Sequence, residues 1–438
     1  MPVRRAHHKS RLGCLPCKKR RVKCDEGRPT CSKCKKRGIE CSFPALDPPR
    51  PDRKAPGSVH VFALSPSPLS PLSPPSLWDS LSRDGLLDKL PAILKARSKH
   101  LLHHFATQTT TALSGDDQGK AALPRIVSRL AKGHPFILQG IFAVTSLHLS
   151  RFSSVESEQH AYYSIAQDQM GNGLVEYRKA IQNLNDDNAE ALFIFSATIN
   201  SFTTLAYADE CKATIQSIQT GRLSSKQHEE KVDSLVHATT RLMRCLHGVL
   251  NILVPHWEQL LSSEASPILQ KDWWPHPIPT TTQAIEDDRR LKDIEKLWAR
   301  PGRRYQYQFD YLRAALKSLR QQFALVSQLT VAEDSGSSKI LDWTSTISWL
   351  MEPPLEFISL IENRWPEAWI ILAHYGIIFA RRPEIWWLGT IASSLISTAA
   401  LVLGEAQCDP ISWPVAEAGI DLSQLRAPRL AEETETEI

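Results

Sequence analysis

Six cysteines near the start of the 438-residue sequence carry its clearest chemistry. They are Cys14, Cys17, Cys24, Cys31, Cys34 and Cys41. Their spacing repeats one unit, C-x2-C-x6-C, twice with six residues between the units. Two thiolates three residues apart can hold one tetrahedral metal ion from the first turn of a helix, and a third arrives from the following loop. Two ions would need eight unshared thiolates, so six suffice only if two sulfur atoms bridge both ions, and the spacing predicts metal binding.

Basic residues surround these cysteines. The six residues between Cys17 and Cys24, KKRRVK, include five cations. Four more follow in the second unit, at Lys33, Lys35, Lys36 and Arg37. Residues 1–43 hold 14 Lys and Arg against 3 Asp and Glu, a charge of +11 out of a total of +5, which leaves −6 for the remainder. A short basic segment fixed by metal predicts a module that binds a polyanion such as nucleic acid.

Two other kinds of zinc site fit the sequence less well. A catalytic zinc keeps an open position and usually has His or carboxylate ligands, but no His lies between Cys14 and Cys41. A protein-binding zinc module of the ubiquitin-ligase type needs eight ligands with at least one His, and it would not need KKRRVK. The sequence therefore predicts a closed structural cluster and no enzyme.

The rest of the chain divides by composition. Residues 1–43 form a basic arm with the cysteine cluster, and residues 44–75 contain ten prolines, which favour extended chain. We therefore expect a linker over residues 44–78. Residues 426–438 form a short acidic tail that we expect to be disordered.

Residues 79–425 follow the helical period. Leu312, Leu316, Leu319, Phe323 and Val326 recur every three or four positions, and runs that alternate like strands are nearly absent. We expect a large all-α domain beside a small zinc cluster of two short helices with loops. Residues 385–403 carry no charge and are long enough to cross a membrane, but their serines and threonines favour a buried helix, so no membrane partner is predicted. The polar start MPVRRAHHKS does not resemble a secretory signal and indicates a reducing compartment.

The cysteine segment resembles the fungal binuclear zinc cluster, or Zn(2)-C(6), transcription factors. Every cysteine spacing matches, as do the basic run after the second cysteine, the Cys24-Asp25 pair and Pro29 in the loop before the fourth cysteine. The resemblance implies two zinc ions bridged by Cys14 and Cys31. It further implies that Cys17 and Cys24 complete one ion, and that Cys34 and Cys41 complete the other.

The same resemblance implies how DNA is bound. The residues three and four after the second cysteine, Arg20 and Arg21, would reach base edges of a CGG-type triplet in the major groove, since arginine suits guanine O6 and N7. Phosphate contacts would come from Lys18, Lys19 and Lys23. The expected function is sequence-specific control of RNA polymerase II genes in the nucleus, with double-stranded DNA and the transcription machinery as partners.

The residues after the cluster depart from the family in one respect, and the predicted helical body shows a further resemblance. Many members of the family carry a coiled coil after the cluster, but no heptads follow here, so we expect monomeric binding or pairing through the body. Short stretches resemble the regulatory domain of sterol uptake control-type factors: HPFILQGIFAVTSLHLSRF at 134–152, YYSIAQDQMGNGLVEYRKAI, NAEALFIFSATI, HYG at 374–376, WWL at 386–388 and WPVAEAGI at 413–420.

This second resemblance implies a possible hydrophobic small-molecule effector. A packed, hydrogen-bonded role in the core is the alternative for the histidines and tryptophans of these apolar stretches. They are His134, His148, His374, Trp386 and Trp387.

Overall fold

The computed structural model describes residues 15–20, 22, 24–25, 31–39, 76–333, 338–382, 385, 388 and 390–425. The chain divides into two units, Met1–Pro71 and Leu72–Ile438, which are described separately. We call the described part of the first the cluster unit and that of the second the body. The predicted tail at 426–438 and most of the predicted linker lie outside the described residues.

The cluster unit contains two short helices, α1 (Leu15–Lys19) and α2 (Ser32–Lys35). Both are followed by the same backbone hydrogen bond, from Val22 N–H to the carbonyl of Cys17 at 3.1 Å and from Ile39 N–H to that of Cys34 at 3.3 Å. Gly38, with φ +60°, makes the turn after α2, where the left-handed conformation suits glycine. The repeat in the sequence is therefore also a repeat in the backbone.

The body is almost entirely helical, and helix makes up 74% of the structure, which confirms the predicted fold class. Its α-helices α3 to α19 are Leu77–Arg83, Ala92–His104, Thr110–Leu113, Asp117–Leu130, Pro135–Phe152, Glu156–Ile181, Ala189–Thr220, Ser225–Gly248, Leu250–Leu253, Trp257–Ser262, Ser266–Leu269, Thr282–Asp293, Gln308–Leu329, Leu355–Glu362, Pro366–Ala380, Ile391–Leu403 and Ser412–Glu417. A π-helical turn, Phe105–Thr109, joins α4 to α5. One antiparallel ribbon, β1 (Thr330–Ala332) with β2 (Ser338–Ile340), pairs Thr330 with Ile340.

The body starts slightly earlier than the sequence boundary at residue 79. Helix α3 begins at Leu77 because Ser76 caps it: its hydroxyl accepts from Asp79 N–H at 3.2 Å, and the Asp79 carboxylate accepts from Ser76 N–H at 3.2 Å. Such a capping box satisfies donors that an uncapped helix end leaves without partners. Leu77 is also buried, so the helix belongs to the body and not to the linker.

The first of two apolar cores is built by helices α3 to α8, the amino-terminal part of α9 and the short helices α11 to α13. Phe195 of α9 lies against two glycines of neighbouring helices. A Cβ added at Gly140 of α7 would approach its ring to 2.7 Å, and one added at Gly173 of α8 to 2.6 Å. Glycine at both positions therefore lets α7 and α8 pack directly on α9.

The second core is made by the carboxy-terminal part of α9 with α10 and α14 to α18. Trp349, Trp369 and Tyr375 are fully buried in it. The indole N–H of Trp349 donates to the carbonyl of Ala315 at 3.1 Å and to the hydroxyl of Ser318 at 2.9 Å. The large rings are thus both packed and hydrogen-bonded, as buried tryptophans usually are.

Helix α9 is the one helix in the described part of the chain that is long and apolar enough to cross a membrane. It is a core helix of the body, since 67% of its most apolar stretch is buried. The uncharged segment at 385–403 contributes the 13-residue helix α18, shorter than the roughly 20 residues that a bilayer requires.

A buried ion cluster joins distant segments of the body. The ammonium of Lys271 lies 2.6 Å from the carboxylate of Asp116, which caps α6, and 3.0 Å from that of the fully buried Asp342. Asp342 also accepts from the indole N–H of Trp274 at 3.1 Å. Burial alone would lower the pKa of Lys271, but the two carboxylates outweigh it and the pKa is raised.

Candidate metal centre and nucleic-acid interface

Four cysteine side chains of the cluster unit are buried together. Cys17, Cys31 and Cys34 are fully buried and Cys24 is 3% exposed. The sulfur atoms of Cys17, Cys24 and Cys31 lie within 4.8 Å of one another. Three thiols converging in so small a unit form a preassembled set of ligands for a soft or borderline metal ion.

The sulfur separation fits zinc. The Sγ atoms of Cys17 and Cys31 are 3.7 Å apart, far longer than a disulfide bond of about 2.05 Å. Four thiolates at about 2.3 Å around a tetrahedral ion would have their sulfurs about 3.8 Å apart. Cys14 and Cys41, the remaining predicted ligands, lie outside the described residues, so their predicted places and the bridging roles stay predictions.

Asp25 links the two halves of the cluster unit. Its carboxylate accepts from the Ser32 hydroxyl at 2.5 Å and from the Ser32 backbone N–H at 3.1 Å. These hydrogen bonds, the one from the Ser32 side chain first, hold the pKa of Asp25 below its usual range. The sequence reasoning matched the Cys24-Asp25 pair only as part of a resemblance and did not identify this contact. Its signal is an acid directly after the third cysteine and a serine directly after the fourth.

Cations cover the surface around the sulfurs. Five basic side chains in the described part of this unit are exposed, namely Lys19, Lys33, Lys35, Lys36 and Arg37. Asp25 is the only acid among the residues described in the unit, and Ser32 already engages it. The described surface is therefore strongly positive and suits a polyanion.

Arg20 occupies a different environment from these lysines. Its Nη2 lies 3.8 Å from the sulfur of Cys17 and 3.7 Å from that of Cys34, and its Nε donates to the carbonyl of Pro16 at 3.1 Å. The half-buried guanidinium therefore has Nη2 turned toward the sulfur atoms of the cluster. Of the other predicted DNA contacts, Arg21 and Lys23 lie outside the described residues, as does Pro29. Lys18 lies in α1 but its side chain is not described.

A cleft of the body beside α14, α15 and α17 gives no particular support to a hydrophobic effector. This cleft of about 480 Å³ is lined partly by Phe323 and Ile378 but also by four charged side chains. These are Asp287, Arg381, Arg382 and Glu417. Arg381 pairs with the buried Asp287 at 2.5 Å and with Glu417 at 2.7 Å, so a wholly apolar ligand would meet an ionic wall.

The histidines predicted as core residues fall mostly in the core. His374 is buried, its Nδ1 lies 2.7 Å from the carbonyl of Ile370, and burial lowers its pKa to about 4. His148 is buried beside His104, with Nδ1 and Nε2 3.2 Å apart, and burial lowers its pKa to about 4. His134 is half-buried at the start of α7, and Trp386 and Trp387 lie outside the described residues.

Comparisons with known proteins agree with this geometry. Residues 12–49 match the family described as the fungal Zn(2)-Cys(6) binuclear cluster domain, which binds two zinc ions. A protein of Aspergillus fumigatus named Zn(2)-C6 fungal-type transcription factor afumD is 31% identical over 223 residues, covering 49% of each chain. The matched region thus spans about half the length of that relative.

A second relative covers nearly the whole chain. A Zn(2)-C6 fungal-type transcription factor of Gibberella zeae is 23% identical over 97% of this chain and 89% of its own length. No solved structure matches the chain. Neither relative is named for sterol uptake, so the likeness of the body to such factors stays a prediction. Residues 12–49 thus match the fungal Zn(2)-Cys(6) cluster domain, and the chain is similar to proteins named Zn(2)-C6 fungal-type transcription factors, a family that is not enzymatic.

Proposed function

We propose that this chain is a nuclear, sequence-specific DNA-binding regulator of RNA polymerase II genes. The cluster unit would dock in the major groove and read a CGG-type triplet. The helical body would act as the regulatory domain and contact the transcription machinery. The observation that carries the proposal is a buried set of thiols with zinc-like spacing beneath an exposed basic surface.

Bound zinc would give the basic surface of the cluster unit a rigid support. Zinc–thiolate bonds would fix α1 and α2, so that cations such as Lys19 project from a platform that loses little conformational freedom on binding. Contacts to phosphates set the register of the protein on DNA without reading sequence. Discrimination requires a side chain at a base edge, and Arg21 suits this role because its fork matches guanine.

Fluorescence anisotropy with the full chain tests the proposal. We expect tighter binding to a duplex containing CGG than to a scrambled duplex of equal length and charge. The affinity for both should fall steeply as salt rises, because phosphate neutralisation releases counterions. Equal affinities for the two duplexes at every salt concentration would refute sequence-specific reading.

Single substitutions separate the roles of the basic residues. Arg21→Ala should reduce the preference for CGG by about 1–3 kcal/mol, the typical value of one bidentate contact to guanine. Lys23→Ala should weaken binding to both duplexes alike. It should also reduce the slope of log affinity against log salt concentration by about one, because one phosphate contact is lost. Arg37→Ala is the matched control for lost charge and should leave the preference for CGG unchanged.

A further inference from the structure

The two halves of the cluster unit contain an arginine at the same position of the repeat. Arg20 is the third residue after Cys17, and Arg37 is the third residue after Cys34. Their surroundings differ, since Arg37 is exposed and Arg20 is half-buried against sulfur atoms. The repeat therefore supplies an internal comparison for what Arg20 does.

The contacts of Arg20 cross from one half to the other. One nitrogen, Nη2, lies 3.8 Å from the sulfur of Cys17 in the first half and 3.7 Å from that of Cys34 in the second. Both distances suit N–H···S hydrogen bonds, and Nη2 carries two hydrogens, one for each sulfur. The Nε–H bond to the carbonyl of Pro16 at 3.1 Å fixes the direction of the guanidinium.

The negative charge of a zinc–thiolate cluster explains why a cation would contact its sulfurs. Two Zn²⁺ ions with six thiolates have a net charge of −2, and the bonded sulfurs are partly removed from water. A guanidinium is always protonated and is weakly hydrated, so it can neutralise this charge at the sulfurs with little cost in desolvation. Such hydrogen bonds from outside the ligand shell typically change metal affinity by 10- to 100-fold.

We propose that Arg20 is a positioning residue that ties the two halves of the cluster together and retains zinc, while Arg21 reads the base. Arg20 cannot hold both sulfurs and reach a guanine at once, because its one guanidinium is already turned toward the cluster. The part concerning Arg21 rests on the proposed DNA-binding function, whereas the part concerning zinc retention does not.

Zinc release to the chromogenic chelator 4-(2-pyridylazo)resorcinol tests the role of Arg20. In the full chain, Arg20→Ala should release zinc about 10- to 100-fold faster than the unsubstituted protein. Arg37→Ala, which removes the same charge from the equivalent position, should release zinc at the unsubstituted rate. Arg20→Lys keeps the charge without the planar fork, so its rate of zinc release should fall between those of Arg20→Ala and the unsubstituted protein. This variant also keeps the test informative if Arg20→Ala does not fold.

DNA binding under saturating zinc provides the second readout. Arg20→Ala should then keep its ratio of affinities for CGG and scrambled duplexes, whereas Arg21→Ala should lose it. Unchanged zinc release in Arg20→Ala would overturn the inference, and so would a lost affinity ratio with zinc retention intact. If the unsubstituted chain showed no preference for CGG, the proposed function would fail, but the release rates would still decide the role of Arg20.

Discussion

The cluster unit and the body solve the problem of stability in opposite ways. The buried side chains described in the cluster unit are four cysteines, and around them the surface is mostly charged. The body instead buries two large apolar cores, and the second encloses the fully buried Trp349 and Trp369. A segment this short cannot bury enough apolar surface to fold alone, so metal–sulfur bonds must replace packing.

The difference also explains where each region can tolerate charge. Because metal–sulfur bonds and not an apolar core would hold the cluster unit together, its surface is available for cations that contact DNA. In the body, charges buried with the core must be paired, as Lys271 is with Asp116 and Asp342. Perturbations that affect one region should therefore leave the other nearly unchanged.

Removal of zinc should give the largest and most selective effect. Structural zinc contributes about 10–16 kcal/mol to the folding of small modules. We expect a strong chelator to abolish preference for CGG while the body keeps its helical circular dichroism and melting temperature. Restored binding after zinc is added back is the control, and a chelated protein that still discriminates between duplexes would contradict the expectation.

Thiol labelling makes the same test residue-specific. After chelation, the six clustered cysteines should react rapidly with a thiol reagent. The body cysteines should react more slowly in the folded protein, above all Cys211, which is fully buried and whose pKa burial raises to about 12. Rapid reaction of Cys211 would show that the body had also opened.

A substitution in the second core should destabilise the body and leave the cluster unit unchanged. Trp349→Ala should lower the free energy of unfolding of the body by about 3–5 kcal/mol, through a cavity and the loss of its indole hydrogen bonds. Denaturant titration followed by circular dichroism measures this loss. Zinc release should not change. Trp257→Ala is the matched control, because Trp257 is 43% exposed and its removal leaves no enclosed cavity.

The buried ion cluster should have a smaller effect. Lys271→Met should cost about 3 kcal/mol, because the fully buried carboxylate of Asp342 and the partly buried one of Asp116 lose their cation. Adding Asp116→Asn and Asp342→Asn to it should recover part of the stability. Lys95→Met, at an exposed pair with Asp88, is the comparison and should change the unfolding midpoint far less. Equal losses for Lys271→Met and Lys95→Met would show that burial of the pair is unimportant.

Protonation of His374 in acid should destabilise the body by the smallest of these amounts. The folded body keeps His374 neutral down to pH about 4, whereas an unfolded histidine protonates near pH 6.5. The unfolded state therefore binds more protons between these values. The stability that His374 contributes is present above about pH 6.5 and is lost as pH falls toward 4, by about 2 kcal/mol at pH 5.

Substitution of one histidine tests this assignment. His374→Gln should flatten the decline of unfolding free energy between pH 7 and pH 5. His160→Gln serves as control, because the His160 side chain is 79% exposed and its loss should leave the pH profile unchanged. The assignment to His374 fails if both variants keep the same slope as the unsubstituted protein.

The sequence was most informative where chemistry is local. Cysteine spacing predicted the metal site, since ligands three residues apart are adjacent in any helical turn. The helical period predicted the all-α body for the same reason. Contacts between distant residues were not predictable: Lys271 and Asp342 are far apart in the chain, and no local pattern pairs them. Likewise, the family resemblance that predicted a base contact for Arg20 could not show that its guanidinium turns toward sulfur.

Helix α9 has a mechanical consequence for the body. Its 32 residues extend about 48 Å, with Phe195 fixed between α7 and α8 near one end and Tyr207 buried in the second core. Because Phe195 and Tyr207 are both tightly packed and belong to one continuous helix, a tilt of the helix at one of them would also move the other. Any signal that repacks either core would therefore be carried along α9 as a lever, without an intervening hinge.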